Sequence, residues 1–411
     1  MIFFLVSCVF AEINEILHVT DIHYDPWYYP SSANICLFGT HIGTGCCRKT
    51  SIGIKNYNQA SKYGDLQCDL PLLTVNLTFN WIYNKHPNLK YIFYTGDTVD
   101  HHDITQSVNG NLHSINSVSN LFKSNFPDVP VYSVLGNHDT YPIDQTAPYL
   151  YKYMLEKISN YWKDSLTTES INLMKNYGYY SQELNSKLNI IGFNSIYYDH
   201  HNFFQVNSDS LDEKKTNSQF KYLKMVLEKS KLENKKVIIL NHIPIQGGES
   251  IPYYNSQLSS IIDEYSDVIL LHLNGHEHSD HFYIYKKSTT LSSFSLIPNS
   301  MTTSGHYPGF RILYYDTINN KFINYKQYSC NITNIIKTSN FSCNELYDFN
   351  SLYQEEDLSL KSFGNIFNKL KTNITLLNQY LLFKNYGTIP VEKCTEDTCI
   401  NNTLNDILKY I

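Results

Sequence analysis

The chain has 411 residues, of which 42% are hydrophobic and 17% are charged, a composition typical of globular proteins that excludes a long disordered tail. This length suffices for one large domain, or for one domain with an appendage. The formal net charge of −6 comes without a Lys/Arg stripe, so binding to a nucleic-acid polymer is not expected.

The N-terminal stretch "MIFFLVSCVFA" is an apolar run that ends in a small residue. It is too short to span a bilayer but suits the apolar part of a secretory signal, so we predict a signal peptide over residues 1–11. The alternative is a buried first strand. No later run reaches the ~18 apolar residues that a membrane helix needs, so the mature protein is expected to be soluble.

The next elements alternate between β-rich apolar runs and segments of helical periodicity. The predicted strands lie at 15–20, 90–97, 130–139, 188–195, 235–242 and 267–276. Amphipathic helices are predicted around residues 72–82 and from Pro148 to Lys163. This alternation predicts an α/β layered fold whose central strands are buried on both faces.

Two further β-like runs, "FRILYYD" and "KFINYKQY", predict a hairpin across "TINN". Beyond them the apolar residues recur at helical spacing, as at Phe363, Ile366 and Leu370. We therefore predict a catalytic domain over residues 12–344 and a small helical C-terminal region over residues 345–411, packed together.

Side chains that bind metals follow five of the predicted strands. They occur in "TDIH", "TGDTVDHH", "LGNHD", "LNHIP" and "NGHEH", and the candidate ligands are Asp21, His23, Asp97, Asn137, His242, His276 and His278. Because ligands bind at the carboxyl ends of strands in layered α/β sheets, we expect these side chains to meet in one crevice. Isolated polar strand ends are the alternative, but five such motifs in order favour a site.

Seven ligands are too many for one tetrahedral ion and suit two ions that share a bridging carboxylate, for which Asp97 is the candidate. Two ions in this arrangement are used in phosphoryl transfer. Histidine, aspartate and asparagine also accept manganese or iron, so the donor types alone leave the metal open.

The motifs "DIH", "GDTVDHH", "GNHD", "NHIP" and "GHEH" resemble those of the calcineurin-like metallophosphoesterase superfamily. More narrowly, "HVTDIHYDPWY", "GNHDTYPIDQ" and "TTSGHYPGFRILYYD" resemble the acid sphingomyelinase-like phosphodiesterases. The resemblance implies a layered β-sandwich flanked by helices, two Zn²⁺ per chain, and in-line attack on phosphorus by metal-bound hydroxide.

The resemblance also implies roles for individual residues. Asp21, His23 and His278 would hold one zinc, and Asn137, His242 and His276 the other, with Asp97 between them. His138 and His101 would face the phosphate, orient it and protonate the departing oxygen. His102 is an alternative to His101, although the count from Asp97 favours His101.

Cysteines and glycosylation sequons both indicate an oxidising compartment. One of the nine cysteines lies in the predicted signal, which leaves an even number. The resemblance implies the pairs Cys36–Cys46, Cys47–Cys68 and Cys394–Cys399, and Cys330–Cys343 follows as the remaining pair. The sequons are at Asn76, Asn331, Asn340, Asn373 and Asn401. Secretion or the lysosomal route is expected.

The resemblance leads us to expect a monomeric phosphodiesterase. Too few residues precede the first strand for the saposin domain of sphingomyelinase proper, so we favour soluble phosphodiesters, such as nucleotides or phosphocholine esters. Sphingomyelin, a membrane phospholipid, is the alternative substrate.

Two other hypotheses are a catalytically silent binding protein and a phosphomonoesterase of the purple acid type. The complete ligand set opposes the first, and the absence of a tyrosine just after Asp97 opposes the second.

Overall fold

A computed structural model describes residues 12–36, 45–53, 58–147, 151–206, 213–303, 305–385 and 393–411, so the predicted signal peptide lies outside the described residues. The described strands are β1 Ile13–Val19, β2 Leu89–Tyr94, β3 Val131–Ser133, β4 Tyr180–Asn185, β5 Leu188–Gly192, β6 Lys236–Leu240, β7 Ile269–Leu273, β8 His281–Lys287, β9 Thr290–Ile297, β10 Gly309–Asp316, β11 Lys321–Ser329, β12 Asn344–Asp348 and β13 Leu408–Tyr410. The described α-helices are α1 Leu72–Lys85, α2 Val108–Asn125, α3 Lys152–Tyr161, α4 Thr168–Tyr177, α5 Phe203–Val206, α6 Glu213–Leu232, α7 Pro252–Glu264, α8 Ile332–Thr338, α9 Phe349–Tyr353, α10 Leu360–Thr372, α11 Ile374–Lys384 and α12 Asp397–Ile407.

The strands form two sheets. The order in the first sheet is β12-β11-β10-β1-β2-β3, and in the second it is β13-β8-β9-β7-β6-β5-β4. Strands β1, β2 and β3 are parallel to one another, as are β5, β6 and β7. Parallel strands place their carboxyl ends at one edge, so each sheet presents a row of loops on which a site can be built.

The main hydrophobic core lies between the two sheets, where Ile16 of β1 and Ile238 of β6 are fully buried. Successive residues of a strand point to opposite faces, so Leu17 of β1 faces outwards and packs with Phe79 of α1 instead. On the second sheet, Ile239 of β6 likewise packs with side chains of α6 and α7. The predicted layered α/β fold is confirmed.

All six predicted strands and the β10–β11 hairpin are present. The region 345–411 contains α9 to α12 and also extends both sheets, because β12 pairs with β11 and β13 pairs with β8. These two strands were not predicted from the sequence, and neither were β4, β8 and β9. Among the described residues, none of the helices combines the length and the apolar character needed to cross a bilayer.

Candidate metal centre

The loops after five strands bring all seven candidate ligands into one crevice between the sheets. The first sheet contributes Asp21 and His23 after β1, Asp97 after β2 and Asn137 after β3, and the second contributes His242 after β6, with His276 and His278 after β7. The side chains from the first sheet are buried, whereas those of His276 and His278 are 13% and 22% exposed. The centre is therefore open on the side of the β7 loop.

The first ligand cluster consists of Asp21, His23, Asp97 and His278. The Nε2 atoms of His23 and His278 are 3.1 Å apart, and His278 Nε2 lies 3.5 Å from Asp21 Oδ1. His23 Nε2 is also 3.4 Å from Asp97 Oδ2. Four donor atoms therefore surround a space suited to one cation.

The second ligand cluster consists of Asp97, Asn137, His242 and His276. His242 Nε2 lies 3.2 Å from Asp97 Oδ2 and 2.9 Å from Asn137 Oδ1. The same amide oxygen lies 3.1 Å from His276 Nδ1. Because Asp97 Oδ2 borders both clusters, its position is that expected of a bridging carboxylate.

The hydrogen bonds of the imidazoles indicate that their inward-facing nitrogens carry lone pairs. His23 Nδ1 donates to the carbonyl of Val99, and His242 Nδ1 donates to that of Thr95, each at 2.7 Å. When both rings are neutral, their only protons are used in these hydrogen bonds, and the Nε2 lone pairs of both face Oδ2 of Asp97. Lone pairs turned towards one another repel unless a cation lies between them, so the donor set fits bound metal ions.

Without a cation, these charges act strongly on one another. Burial disfavours a charged ring, yet the neighbouring Asp97 carboxylate raises the pKa of His242 to about 10. Burial also opposes ionisation of Asp97, but the imidazole of His242 lowers the pKa of this carboxyl group well below its usual value. Positive charge is therefore strongly favoured beside Asp97, and a metal ion would supply it in place of protons.

The backbone of the ligand loops is unusual. Five ligands that are not glycine have positive φ angles, namely Asp21 (50°), His23 (41°), Asp97 (58°), His276 (74°) and His278 (55°). Such left-handed conformations are uncommon for residues other than glycine and cluster at functional sites. A Cβ atom on Gly136 would overlap Asp97 Oδ1, and one on Gly275 would overlap Thr20 Oγ1. Glycine at these two positions lets the loops approach closely.

Two carboxylates that were not predicted from the sequence support the β2 and β3 loops. The carboxylate of Asp139 accepts backbone N–H groups of Asp97, Thr98 and Gly136 at 2.7–3.1 Å. Asp144 accepts from the amide nitrogen of Asn137 at 2.9 Å, which turns the amide oxygen towards the second cluster. Asp139 follows directly after "GNH", and this adjacency could have indicated it.

Two further carboxylates support the β7 loop. Glu249 Oε2 lies 3.0 Å from His276 Nε2, so His276 presents its other nitrogen to the second cluster. This contact lowers the pKa of Glu249 to about 2. Asp280 forms an ion pair with the fully buried Arg311 at 2.5 Å, which anchors the loop to the opposite sheet. Sequence reasoning had no signal for Glu249, which belongs to no strand or helix.

His101 and His138, the two histidines expected to face the phosphate, both lie beside the first cluster. The ring of His101 stacks on that of His23 with centroids 3.7 Å apart, and the ring of His138 is 4.6 Å from that of His101. Asp69 binds both the backbone N–H and Nδ1 of His101 at 2.8 Å.

The electrostatic environments of His101 and His138 differ. Burial disfavours charge on both rings, but Asp69 raises the pKa of His101 to about 9. Among the described residues no carboxylate is hydrogen-bonded to the ring of His138, and burial lowers its pKa to about 3. The alternative, His102, turns away from the crevice and contacts Arg48 Nη1 at 2.7 Å. The geometry therefore favours His101 over His102.

The cysteine pairs Cys36–Cys46, Cys47–Cys68, Cys330–Cys343 and Cys394–Cys399 are all present as disulfides. The predicted pairing is confirmed, including Cys330–Cys343, which was predicted only as the pair that remained.

The sequon residues Asn76, Asn340, Asn373 and Asn401 are exposed, whereas Asn331 is half-buried. Asn331 and Asn373 also cap the helices α8 and α11.

Residues 15–280 match the family model described as calcineurin-like phosphoesterase. Over 393 residues the chain is 30% identical to "Sphingomyelin phosphodiesterase A" of Dictyostelium discoideum, a match that covers 94% of this chain and 65% of that protein. The chain thus spans less than two thirds of this relative. Over 405 residues it is 27% identical to "Cyclic GMP-AMP phosphodiesterase SMPDL3A" of Homo sapiens, with 94% of this chain and 85% of that protein covered.

Proposed function

The chain belongs to the calcineurin-like phosphoesterase family, and on that premise we propose that it is a two-zinc phosphodiesterase of soluble phosphodiesters. The family match and the two similar phosphodiesterases confirm the resemblance predicted from the five motifs, and they support hydrolysis of a phosphodiester bond. The metal, the roles of the site residues and the substrate are our proposals.

The position of Asp97 Oδ2 carries the proposal, since it lies 3.4 Å from His23 Nε2 and 3.2 Å from His242 Nε2. One ion would be held by Asp21, His23 and His278 and the other by Asn137, His242 and His276, with Asp97 shared. Mixed nitrogen and oxygen donors are suited to zinc. When bound, two such ions neutralise phosphate oxygens and make a water molecule reactive near neutral pH.

We assign the positioning of the phosphate and the proton transfer to His101 and His138. Asp69 accepts from Nδ1 of His101 and thereby fixes the plane of the ring. This leaves the other ring nitrogen of His101 free to bind a phosphate oxygen or to protonate the departing one. The neighbouring ring of His138 would orient the same phosphate group from a second direction.

A cavity beside the second cluster supports the choice of soluble substrates. Its volume is about 470 Å³, and polar or charged side chains form much of its wall, including Gln246, Glu249, Glu277, Asp406 and Lys409. Such a wall suits the polar groups of a soluble diester better than the hydrocarbon chains of a lipid. Sphingomyelin remains the second candidate because one similar protein carries that activity in its name.

A substrate panel tests the proposal. The zinc-loaded protein is incubated separately with bis(p-nitrophenyl) phosphate, a cyclic dinucleotide, CDP-choline and sphingomyelin vesicles. We expect hydrolysis of the chromogenic diester and of at least one soluble natural diester, with little release of phosphocholine from vesicles. Rapid release from vesicles alone would replace the proposed substrate class by sphingomyelin. A lack of turnover on every substrate would favour a silent binding protein.

We further propose that the protein acts outside the cell or in the lysosome. Four disulfides and four exposed sequon asparagines support an oxidising compartment. Mass spectrometry of protein secreted from a eukaryotic host tests this, since N-linked glycans are expected on the exposed sequons. Retention of an unmodified protein inside the host cells would contradict it.

A further inference from the structure

Outside the proposed centre, one more group of metal-binding side chains lies in the turn after the 3₁₀ segment Ser195–Tyr198. It consists of Asp199, His200 and His201, each of which offers a ligand atom within 4.8 Å of the others. The sequence analysis did not assign a function to these histidines. Their rings lie with centroids 3.7 Å apart, so both imidazoles face the same region.

The carboxylate of Asp199 is buried and only partly satisfied. Its Oδ1 accepts the backbone N–H of His201 at 2.8 Å and lies 3.4 Å from Nδ1 of the same residue. Its Oδ2 is also buried and accepts no hydrogen bond within the part of the chain that the structure describes. An ionised carboxylate without partners is costly to bury, and a bound cation would supply the missing partner.

A second carboxylate adds negative charge at the same place. Glu249 Oε2 lies 4.0 Å from Nδ1 of His201, and the carbonyl oxygen of Glu249 accepts the N–H of His200 at 2.8 Å. The turn is thus held against the residue that also contacts His276 of the second cluster. The buried carboxylate of Asp199 and the partly exposed carboxylate of Glu249 lie beside two exposed imidazoles, and together they make a local environment that attracts cations.

We propose that Asp199, His200 and His201 form a third divalent-cation site, separate from the two ions proposed around Asp97. Two imidazole nitrogens and one carboxylate are a donor set that zinc accepts, and they leave an open position for water or an anionic group. The site lies beside Glu249, whose Oε2 atom is 4.0 Å from His201 Nδ1 and 3.0 Å from His276 Nε2. Its existence does not depend on which phosphodiester the centre hydrolyses.

Zinc content measures the proposal directly. The full chain is stripped with a chelator, brought to equilibrium by dialysis against micromolar Zn²⁺, and analysed by inductively coupled plasma mass spectrometry. The double variant His200→Ala/His201→Ala should hold one zinc ion fewer per chain than the wild type. The matched control is His113→Ala, which removes an exposed histidine from α2 and should leave the content unchanged.

Two further variants make the result decisive. His201→Asn keeps a polar side chain and should show the same loss as the double variant. Asp97→Asn should lose zinc from the proposed centre while keeping the third ion, so failure of the centre and failure of the third site are told apart. Equal zinc content in the wild type, the double variant and His201→Asn would overturn the third site, whatever the outcome with Asp97→Asn.

Discussion

Two neighbouring regions of the molecule hold the residues of the proposed site. One is the crevice, formed by the loops at the carboxyl ends of β1, β2, β3, β6 and β7, and it supplies all seven proposed ligands. The other is the disulfide segment, residues 25–69 as far as they are described, and it supplies Asp69 to His101. The strands that precede the crevice loops are held by the hydrogen bonds of the two sheets. The described parts of the disulfide segment form only isolated β-bridges.

The disulfide segment is held by covalent bonds and by a buried ion pair instead. Cys47 and Cys68 are joined, and the residue after each of them contacts the loop that carries His101. Arg48, which is buried, pairs with Asp100 of this loop at 2.7 Å and also with Asp25 at 2.8 Å. Without strands or helices to fix its backbone, the segment uses the disulfide to bring Arg48 and Asp69 to the same loop.

Replacing Asp97 by asparagine should have the largest effect, because it removes the charge shared by both halves of the crevice. The side chain keeps its shape, so the fold should persist. Loss of a bridging ligand should lower kcat/KM for bis(p-nitrophenyl) phosphate by at least about 10³-fold, the scale expected when two-metal stabilisation is lost. Asp103→Asn, an exposed neighbour, is the control. Activity within tenfold of wild type would contradict the bridging role.

Removing the disulfide Cys47–Cys68 should have the next largest effect. We expect Cys47→Ala/Cys68→Ala to lower kcat by about 100-fold, since supports behind a functional group are typically worth 10–100-fold. The zinc content should stay at the wild-type level, because the crevice keeps its own ligands. The control is Cys394→Ala/Cys399→Ala, which opens a disulfide in the C-terminal region and should leave kcat near wild type.

Loss of any disulfide also lowers stability, and Asp69→Asn separates that effect from the positioning of His101. This variant keeps all four disulfides and removes only the charge that faces Nδ1 of His101. It should reproduce most of the fall in kcat at an unchanged melting temperature. Full activity in Asp69→Asn, together with a fall in kcat in the disulfide variant, would assign the effect to stability rather than to His101.

The crevice was predictable from the sequence because its signals are local. Buried parallel strands read as continuous apolar runs, and the ligand motifs follow them directly. Within each sheet these strands are parallel, so the motifs that follow them lie at one edge. The strands β8 and β9 were missed even so, because the stretch "HSDHFYIYKKSTTLSSFSL" mixes polar and apolar residues without a strong period of two.

The supports of the crevice were less predictable because they depend on contacts between distant residues. Asp69 is 32 positions from His101, and Asp280 is 31 positions from Arg311. Glu249 lies in an irregular loop whose path no periodic pattern reveals. A single sequence shows which residue types could pair, but only the folded chain shows which of them meet.

Changing Glu249 to glutamine should have a smaller effect on the crevice. Glutamine can still accept a hydrogen bond from Nε2 of His276 but lacks the charge that strengthens this contact, which is 3.0 Å long. We expect about tenfold weaker binding of the zinc ion proposed at Asn137, His242 and His276, at the low end of what such supporting contacts contribute. Competition with a zinc chelator measures this. Glu277→Gln, which alters a neighbouring carboxylate, should leave the affinity unchanged.

The smallest effect concerns stability rather than activity. It tests how much the free energy of unfolding depends on pH because a histidine is buried in a strand that precedes a crevice loop. His272 of β7 is fully buried, and neither ring nitrogen has a hydrogen-bond partner among the described residues. Burial lowers its pKa to about 3, below the value of about 6.5 that applies to the unfolded chain. The unfolded state therefore takes up a proton as the pH falls below about 6.5, while the folded state does not until about pH 3.

This difference should cost about 1.4 kcal/mol of unfolding free energy per pH unit in that window, or about 2 kcal/mol between pH 7 and pH 5. The variant His272→Leu lacks the titrating ring, so its stability should fall by about 2 kcal/mol less than that of the wild type over the same interval. Urea unfolding at both pH values measures this, and a lower baseline stability of the variant does not affect the comparison. The control is His113→Leu, which removes an exposed histidine of α2 and should keep the wild-type pH dependence. An equal fall for His272→Leu and wild type would mean that His272 takes up its proton in the folded protein too.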